Sequence, residues 1–538
     1  MTISFPIHRP SPSVWALIVL SILFSFVLPA KETPKKYIFA SWELGDVTPQ
    51  EILAHADKFD RTGCDGLAFP LRAVLPGADA QHPRRVTEKP IWTDRELDTL
   101  TPVFTELFRH PSMRHSFFFV NTAPRTVRFR WDDNEAWGVF AENMAAIARF
   151  ARKVGADGII TDFEDYWKKR QYHWTEGDPP YDECLTLARR RGREVFKGVF
   201  DAFPDIAILS FHLFSDDWEY PRVRDPEGLM LVKRDLFPAF LNGLMDVMPP
   251  EAKLVDGFER AYGAKAAMGS FYRIVHDQKQ GVLPLVAPEN RAKYKLQHSV
   301  SFGLFMDAYS DLMPTNSIHY LGPVRGRRIV HLEENIRQAT ECADEYVWFW
   351  GQKGFWIDWP EDLKDPSWRD GFKLSWRRKY FNGKWGRIRP WNDTLDGNFD
   401  LVLRGVKDPD GFAREEYERL AAAGTVANLG PASPKVESDG RITIRAGKFP
   451  EGDWYGVALW MNGGDGMDDV WFRYSGKERW KNSPVRFSFG RKDAAGRRFA
   501  ATLLRVPIGC DGIYLRSMYP VADKGATFDA LTLFKIGR

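Results

Sequence analysis

Asp157-Gly158-Ile159-Ile160-Thr161-Asp162-Phe163-Glu164-Asp165-Tyr166 is a short apolar run that ends in acids. Its length and composition suit a β-strand. Side chains alternate along a strand, so Ile160, Asp162 and Glu164 share one face, while Thr161, Phe163 and Asp165 share the other. Ile160 can fill an interior layer, with two carboxyls above it at the strand end. Carboxyls two residues apart repel, which tends to raise one pKa and keep the other group ionised. That is the condition for one of them to act as an acid near neutral pH. The alternative is a structural network that ties down a helix N-terminus or Arg side chains. Charges at the inner end of a strand are costly unless paired or used, which favours a site.

Outward from this run the chain alternates strand-like and helix-like segments. The strand-like runs are Tyr37–Trp42, Asp65–Pro70, Ser116–Asn121, Asp157–Glu164, Ile206–His212, Leu254–Glu259, Val300–Tyr309 and Tyr346–Trp350. Helical patterns lie near Asp94–Phe108, Ala136–Val154, Glu183–Phe203, Lys233–Val247, Ala264–Gln278, Glu333–Asp344 and Gly411–Ala423, with a further start at Thr48-Pro49. Alternation of this kind signals βαβ units and a parallel sheet. Eight strand–helix pairs over about 390 residues predict an α/β fold, a (β/α)8 TIM barrel. No G-x-G-x-x-G follows the first strand, which counts against a dinucleotide-binding open sheet.

Residues Ala427 to Lys435 are small and contain Pro and Gly, as a linker does. Beyond them, Arg441–Arg445, Tyr455–Met461, Asp469–Tyr474, Val485–Phe489, Phe499–Val506, Gly512–Arg516 and Ala530–Ile536 are β-like runs separated by Gly, Asp and Asn turns. They predict a C-terminal all-β sandwich domain. The expected division is 1–30 as a signal peptide or N-terminal anchor, 31–426 as the barrel and 435–538 as the sandwich.

Barrel sites form at the C-terminal strand ends. Those ends carry Trp42 and Glu43, Asn121, Asp162 and Glu164, His212 with Asp216 and Asp217 behind it, Glu259, Asp307 and Tyr309, and finally Trp348, Trp350 and Trp356. Asp-Gly-Ile-Ile-Thr-Asp-Phe-Glu resembles the D-G-x-D-x-D-x-E strand of the chitinase-like glycoside hydrolases. The resemblance implies Glu164 as general acid and Asp162 as the residue that orients a substrate acetamido group. It fails at Ile160, where that family has Asp, and it covers about eight residues. A two-carboxyl mechanism also needs a second acid, for which Glu259 and Asp307 are the candidates. Gly257 before Glu259 permits close backbone approach there. Trp42, Asn121, His212, Tyr309, Trp350 and Trp356 are the expected substrate contacts.

The composition fits this reading. Aromatic residues make up 14%, with 20 Trp, and indole faces stack on sugar rings, although large cores also use aromatics. Seven Trp fall between Trp348 and Trp385, expected to wall the sugar site. The sandwich carries Trp454, Tyr455, Trp460, Trp471 and Trp480, as an accessory carbohydrate-binding module or a structural prop would. A net charge of +3 gives no basic footprint for nucleic acid. Val14 to Leu28 is uncharged and the length of a signal-peptide core, so the chain is expected to be exported, with membrane contact only through an uncleaved N-terminal anchor. Cys64, Cys184, Cys342 and Cys510 are widely spaced, no His/Cys/Asp cluster has metal-ligand spacing, and no cofactor is expected.

These features predict an exported glycoside hydrolase acting on a poly- or oligosaccharide. The rival is a non-catalytic carbohydrate-binding protein on a degenerate barrel, with a structural envelope protein as a third alternative.

Overall fold

A computed structural model describes residues 34–45, 47–71, 86–89, 91–124, 128–164, 170–360, 389–424, 434–445, 454–476, 479–505, 514–529 and 531–536. The N-terminal apolar run, Asp165, the Ala427–Lys435 linker up to residue 433, Cys510, Trp368, Trp376 and Trp385 lie outside the described residues, as does the side chain of Trp480.

The parallel strands are β1 (Lys36–Ser41), β2 (Gly66–Pro70), β3 (Phe117–Asn121), β4 (Gly158–Asp162), β5 (Ala207–Ser210), β6 (Lys253–Asp256), β7 (His298–Val300), β8 (Gly303–Phe305) and β9 (Tyr346–Gly351). Each pairs with its sequence neighbour from β1 to β7, and β8 pairs with β9. β9 pairs with β1 in register from Lys36↔Tyr346 to Ser41↔Gly351. The expected seventh strand, Val300–Tyr309, is therefore two short strands broken at Ser301-Phe302. One half pairs with β6 and the other with β9, and together they close the barrel.

The inward faces follow the alternation expected from sequence. Phe119, Ile160, Leu209 and Val255 stand in register across β3 to β6. Phe211 stacks on Trp348 at 4.0 Å and 8°, which fills the upper barrel with flat aromatic area. Gly303 makes this fit: a Cβ there would lie 2.5 Å from the Trp348 ring. Long amphipathic helices Asn134–Val154 and Tyr181–Ala202 cover the outside, joined by Phe237–Val247 and Arg328–Cys342. Thr48 caps Pro49–Ala54 as expected, and Glu51 makes the cap reciprocal. The segment expected as one helix over Ala264–Gln278 instead breaks into a 3-10 turn, the short helix Ser270–His276 and a π turn at Asp277–Gly281. Among the described residues no helix is long and apolar enough to cross a membrane.

All seven expected β-runs of the C-terminal region are strands, arranged as two antiparallel sheets. Tyr455, Val457, Leu459 and Met461 alternate into the sandwich core. Ala458, Ala501 and Leu503 face outward, and the small pair leaves room for the Pro409–Ala422 helix, which lays Phe412 and Ala413 on them.

The N-terminal end of the barrel is closed by ions. Lys36 reaches Glu345 at 2.8 Å and Asp157 at 3.4 Å, Lys253 reaches Glu345 at 2.6 Å, and Tyr346 and His115 both bond to Asp157. Burial works against each charge, but His115 and Lys36 outweigh it for Asp157, and Lys253 and Lys36 outweigh it for Glu345, so both carboxyls sit below their usual range. Lys36 is raised because Glu345 and Asp157 outweigh its burial. Carboxyl pKa values depressed by folding stabilise above about pH 4 and lose that contribution as pH falls through the folded values. The raised Lys36 stabilises below about pH 10 and loses its contribution above that. Glu345→Gln should cost about 1–3 kcal/mol at pH 7, allowing for solvent at the half-exposed Lys253, and should flatten the acid side of a urea-melt pH profile.

Candidate active site

Asp162 ends β4 on the inward face. Its Oδ2 accepts from Asn121 Nδ2 at 3.2 Å, its register partner on β3, and its Oδ1 accepts from the Glu164 backbone N–H at 2.8 Å. The second bond is the turn that Asp side chains favour, and it sets the exit of the chain from the strand. Phe163 is drawn the other way, into a cluster with Tyr172, Phe237 and Phe240. Glu164 thus lies beyond the strand end rather than on it, and it lines a cleft of about 370 Å³. His212, Asp216, Asp217, Asp235, Arg170 and Arg260 line the same cleft.

The neighbouring strand ends converge on His212, which follows β5. Its Nδ1 bonds Asp216 Oδ1 at 2.7 Å; its Nε2 lies 3.1 Å from Glu259 Oε2 and 3.7 Å from Asp162 Oδ1. Burial alone would keep this imidazole neutral. Asp216, by charge and hydrogen bond, with Glu259 and Asp162 behind it, outweighs burial and holds its pKa well above the usual histidine range. Asp216 is in turn lowered by His212 and Arg260 against its own burial, and Arg260 Nε lies 3.4 Å away.

Glu259 owes its position to a backbone distortion. β6 ends at Asp256, whose Oδ2 accepts from Ser215 Oγ at 2.5 Å and whose Oδ1 accepts from the Phe258 N–H. Phe258 then adopts φ 41° and ψ 72°, a left-handed conformation that costs a side-chain-bearing residue about 1–3 kcal/mol. Gly257 approaches Ser210 O and Trp348 Nε1 so closely that a Cβ would lie 2.8 and 3.0 Å from them. The chain then starts a 3-10 turn at Glu259. Tyr262 sits three residues on, the period of that turn. Its hydroxyl is raised well above the usual range by burial and by the charges of Glu259, Asp162 and Glu164, so it stays protonated beside the three acids.

The other expected contacts divide. Trp42 is 36% exposed on the rim, and Trp350 is half-buried inside the mouth, 6.2 Å from Phe119 and 6.1 Å from Phe211. Tyr309 departs from the expected role: it is buried on the 3-10 turn after β8, and its hydroxyl accepts from Asn335 Nδ2 at 2.7 Å beneath the Arg328–Cys342 helix. Trp356 departs too. It stacks at 4.0 Å on Phe39, an outward residue of β1, and packs against Phe399. Asp307 is fully buried, accepts from the Gln352 N–H at 2.8 Å and faces Lys353, apart from the His212 cluster. Glu43 is structural as well, accepting from Trp356 N–H at 2.9 Å and from Trp359 Nε1 at 2.5 Å.

Sequence reasoning did not single out Arg260 and Tyr262, and it left Asp216 as an accessory acid. Only the left-handed Phe258 and the turn after it bring the first two to the cluster, and neither has a sequence pattern. Metal-ligand spacing, absent along the sequence, says nothing of residues brought together by the fold. One ligand atom each from Asp162, Glu164 and His212 lie within 4.8 Å of one another, although the residues are up to 50 positions apart.

No family model matches the chain, and no curated protein matches it. Among solved structures, endo-glycoceramidase II from Rhodococcus sp. with a lactosyl-enzyme intermediate overlaps 91% of this chain and 99% of its own, at 9% identity and TM-score 0.36. Active domain 2 of a chitinase from Pyrococcus furiosus overlaps 70% of this chain and 95% of its own, at 12% identity and TM-score 0.34. A D-psicose 3-epimerase overlaps 71% and 98%, at 12% identity and TM-score 0.30. At these TM-scores the likeness assigns no reaction.

Glu43→Ala strands two buried N–H donors and should lower stability by roughly 2 kcal/mol, read by thermal or urea melts. An unchanged melt would mean that the Trp356–Trp359 segment is not held by this carboxylate.

Proposed function

We propose that the chain is an exported glycoside hydrolase in which Glu164 is the general acid and Glu259 the second carboxyl. The observation that supports it is the meeting of Asp162, Glu164 and Glu259 around His212, beside an open cleft at the C-terminal mouth of the barrel. In this mechanism Glu164 protonates the leaving glycosidic oxygen. Glu259 acts from the opposite side of the bond, as nucleophile or as base toward water. His212, oriented by Asp216, and the Tyr262 hydroxyl hold Glu259 in place. Asp162 fixes the turn that presents Glu164, and in an N-acetylated substrate it would also orient the acetamido group. Trp42 at the rim and Trp350 in the mouth offer ring faces for sugar stacking. The Val14–Leu28 run supports export.

The test is hydrolysis across a panel of polysaccharides and aryl glycosides by wild type and Glu164→Gln. Expected is release of sugar by wild type and a loss of at least about 100-fold in kcat for the variant, with its melting curve unchanged. Full activity in Glu164→Gln would remove Glu164 from the chemistry. A wild type that cleaves nothing but retains glycans on an array would instead support the carbohydrate-binding reading, for which Ile160 in place of the family Asp already speaks.

A further inference from the structure

We propose that Asp162, Glu164 and His212 form a binding site for one divalent cation, with Glu259 at its edge. The inference uses the same residues as the hydrolase reading but does not depend on that reaction. It starts from His212, which is 9% exposed. Its Nε2 forms an ion pair with Glu259 Oε2 at 3.1 Å without hydrogen-bond geometry, and Asp162 Oδ1 lies 3.7 Å away. A buried ring nitrogen aimed between carboxylates without a hydrogen bond is oriented as a metal ligand is.

The distances and the chemistry agree. Asp162, Glu164 and His212 each bring a ligand atom within 4.8 Å of the others. Six ligands at about 2.1–2.2 Å from a cation are roughly 3 Å apart when adjacent and 4.3 Å when opposite, so side-chain rotations of about an ångström draw the set onto one ion. Each carboxylate has several lone-pair sites, so the bonds that Asp162 accepts from Asn121 and Glu164 leave it able to coordinate. Two carboxylates and one imidazole are donors that Mn²⁺, Fe²⁺ and Zn²⁺ accept.

The surroundings have the form of a metal site. The far nitrogen of His212 bonds Asp216 at 2.7 Å, the carboxylate–histidine arrangement that fixes ring orientation and strengthens the ligand. Arg260 holds Asp216 from behind at 3.4 Å. The cleft gives a route for the ion and leaves room for water or a substrate hydroxyl in the remaining positions. A cation here takes the place of the proton on Nε2 and offsets the repulsion among the three carboxylates. A pair of vicinal sugar hydroxyls is the ligand chemistry that would complete its coordination.

The experiment is Mn²⁺ titration of the chelator-treated full chain, read by calorimetry and by loss of the free-Mn²⁺ EPR signal, without substrate. Expected is one Mn²⁺ per chain with micromolar affinity, weakened at least 10-fold in His212→Gln and in Asp216→Asn. Asp465→Asn, a surface acid of the sandwich, should bind like wild type. Asp216→Asn keeps every ligand, so it carries the test if His212→Gln fails to fold. No saturable binding up to about 1 mM overturns the proposal, since designed sites bind well below that. So does binding that both variants leave unchanged. Because no turnover is measured, a protein that cleaves no glycan but binds Mn²⁺ here would sink the hydrolase reading alone, and an active hydrolase indifferent to Mn²⁺ would sink this one.

Discussion

Closure of the sheet is the constraint from which the rest follows. β9 must pair with β1 along its whole length, and the seventh position must then reach β6 on one side and β9 on the other. It does so by splitting at Ser301-Phe302, with each half serving one neighbour. Closure makes every inward side chain share one narrow space. Trp348 can lie flat on Phe211 only because Gly303 has no side chain, and the indole N–H is satisfied by Gly257 O at 2.7 Å. That same bond holds the end of β6 where the chain turns to place Glu259. Barrel packing and site geometry are therefore one problem here.

The two ends of the barrel use charge differently. At the N-terminal end, acids and bases alternate around Lys36, Asp157, Glu345 and Lys253, and each carboxyl has a cation within salt-bridge distance. At the C-terminal end, among the described residues, acids following β4, β5 and β6 gather around the His212 imidazole, and Arg260 stands behind Asp216 rather than among them. A matched network is what stability requires. A mouth where like charges gather around one histidine costs folding energy and persists where binding or chemistry uses it. The strained Phe258 belongs to the same end, and backbone strain clusters at sites for the same reason.

The fold was legible because its signals are local. Alternation of apolar runs and amphipathic helices located the strands of the barrel and the seven runs of the sandwich, and the period of two along Gly158–Asp162 put Asp162 inward. Glu164, Glu259 and Tyr309 show where that rule stops. Each lies past a strand end, on a turn set by a hydrogen bond that period-two alternation does not describe: local, from Asp162 Oδ1, for Glu164, and distant, from Phe211 O and Asn335, for Glu259 and Tyr309. Period-two reasoning extended across those turns gives the right neighbourhood for the two acids and the wrong layer for the tyrosine. Arg260 and Tyr262 were hidden for the same reason, since they follow a left-handed residue that no sequence pattern announces.

The tryptophan content also has a different meaning in space than in composition. Trp131 stacks on Trp137 at 5.0 Å, and both are fully buried under the helix layer. Trp348 fills the barrel, Trp356 packs between Phe39 of β1 and Phe399 with Trp391 beside it, and Trp359 packs on His55 and Phe59. In the sandwich, Trp460 lies against Phe499 with Arg497 over its ring, and only Trp471 is well exposed. Most indoles therefore serve as large, flat core pieces for a wide barrel with long loops, a use that area burial alone justifies. Among the described residues, Trp42, Trp218 and Trp350 are exposed or half-buried indoles on the barrel side, near the strand ends and their loops. Under the hydrolase reading, specificity in the cleft would come mainly from its acids and His212, because fixed polar groups discriminate between hydroxyl patterns more sharply than ring faces do.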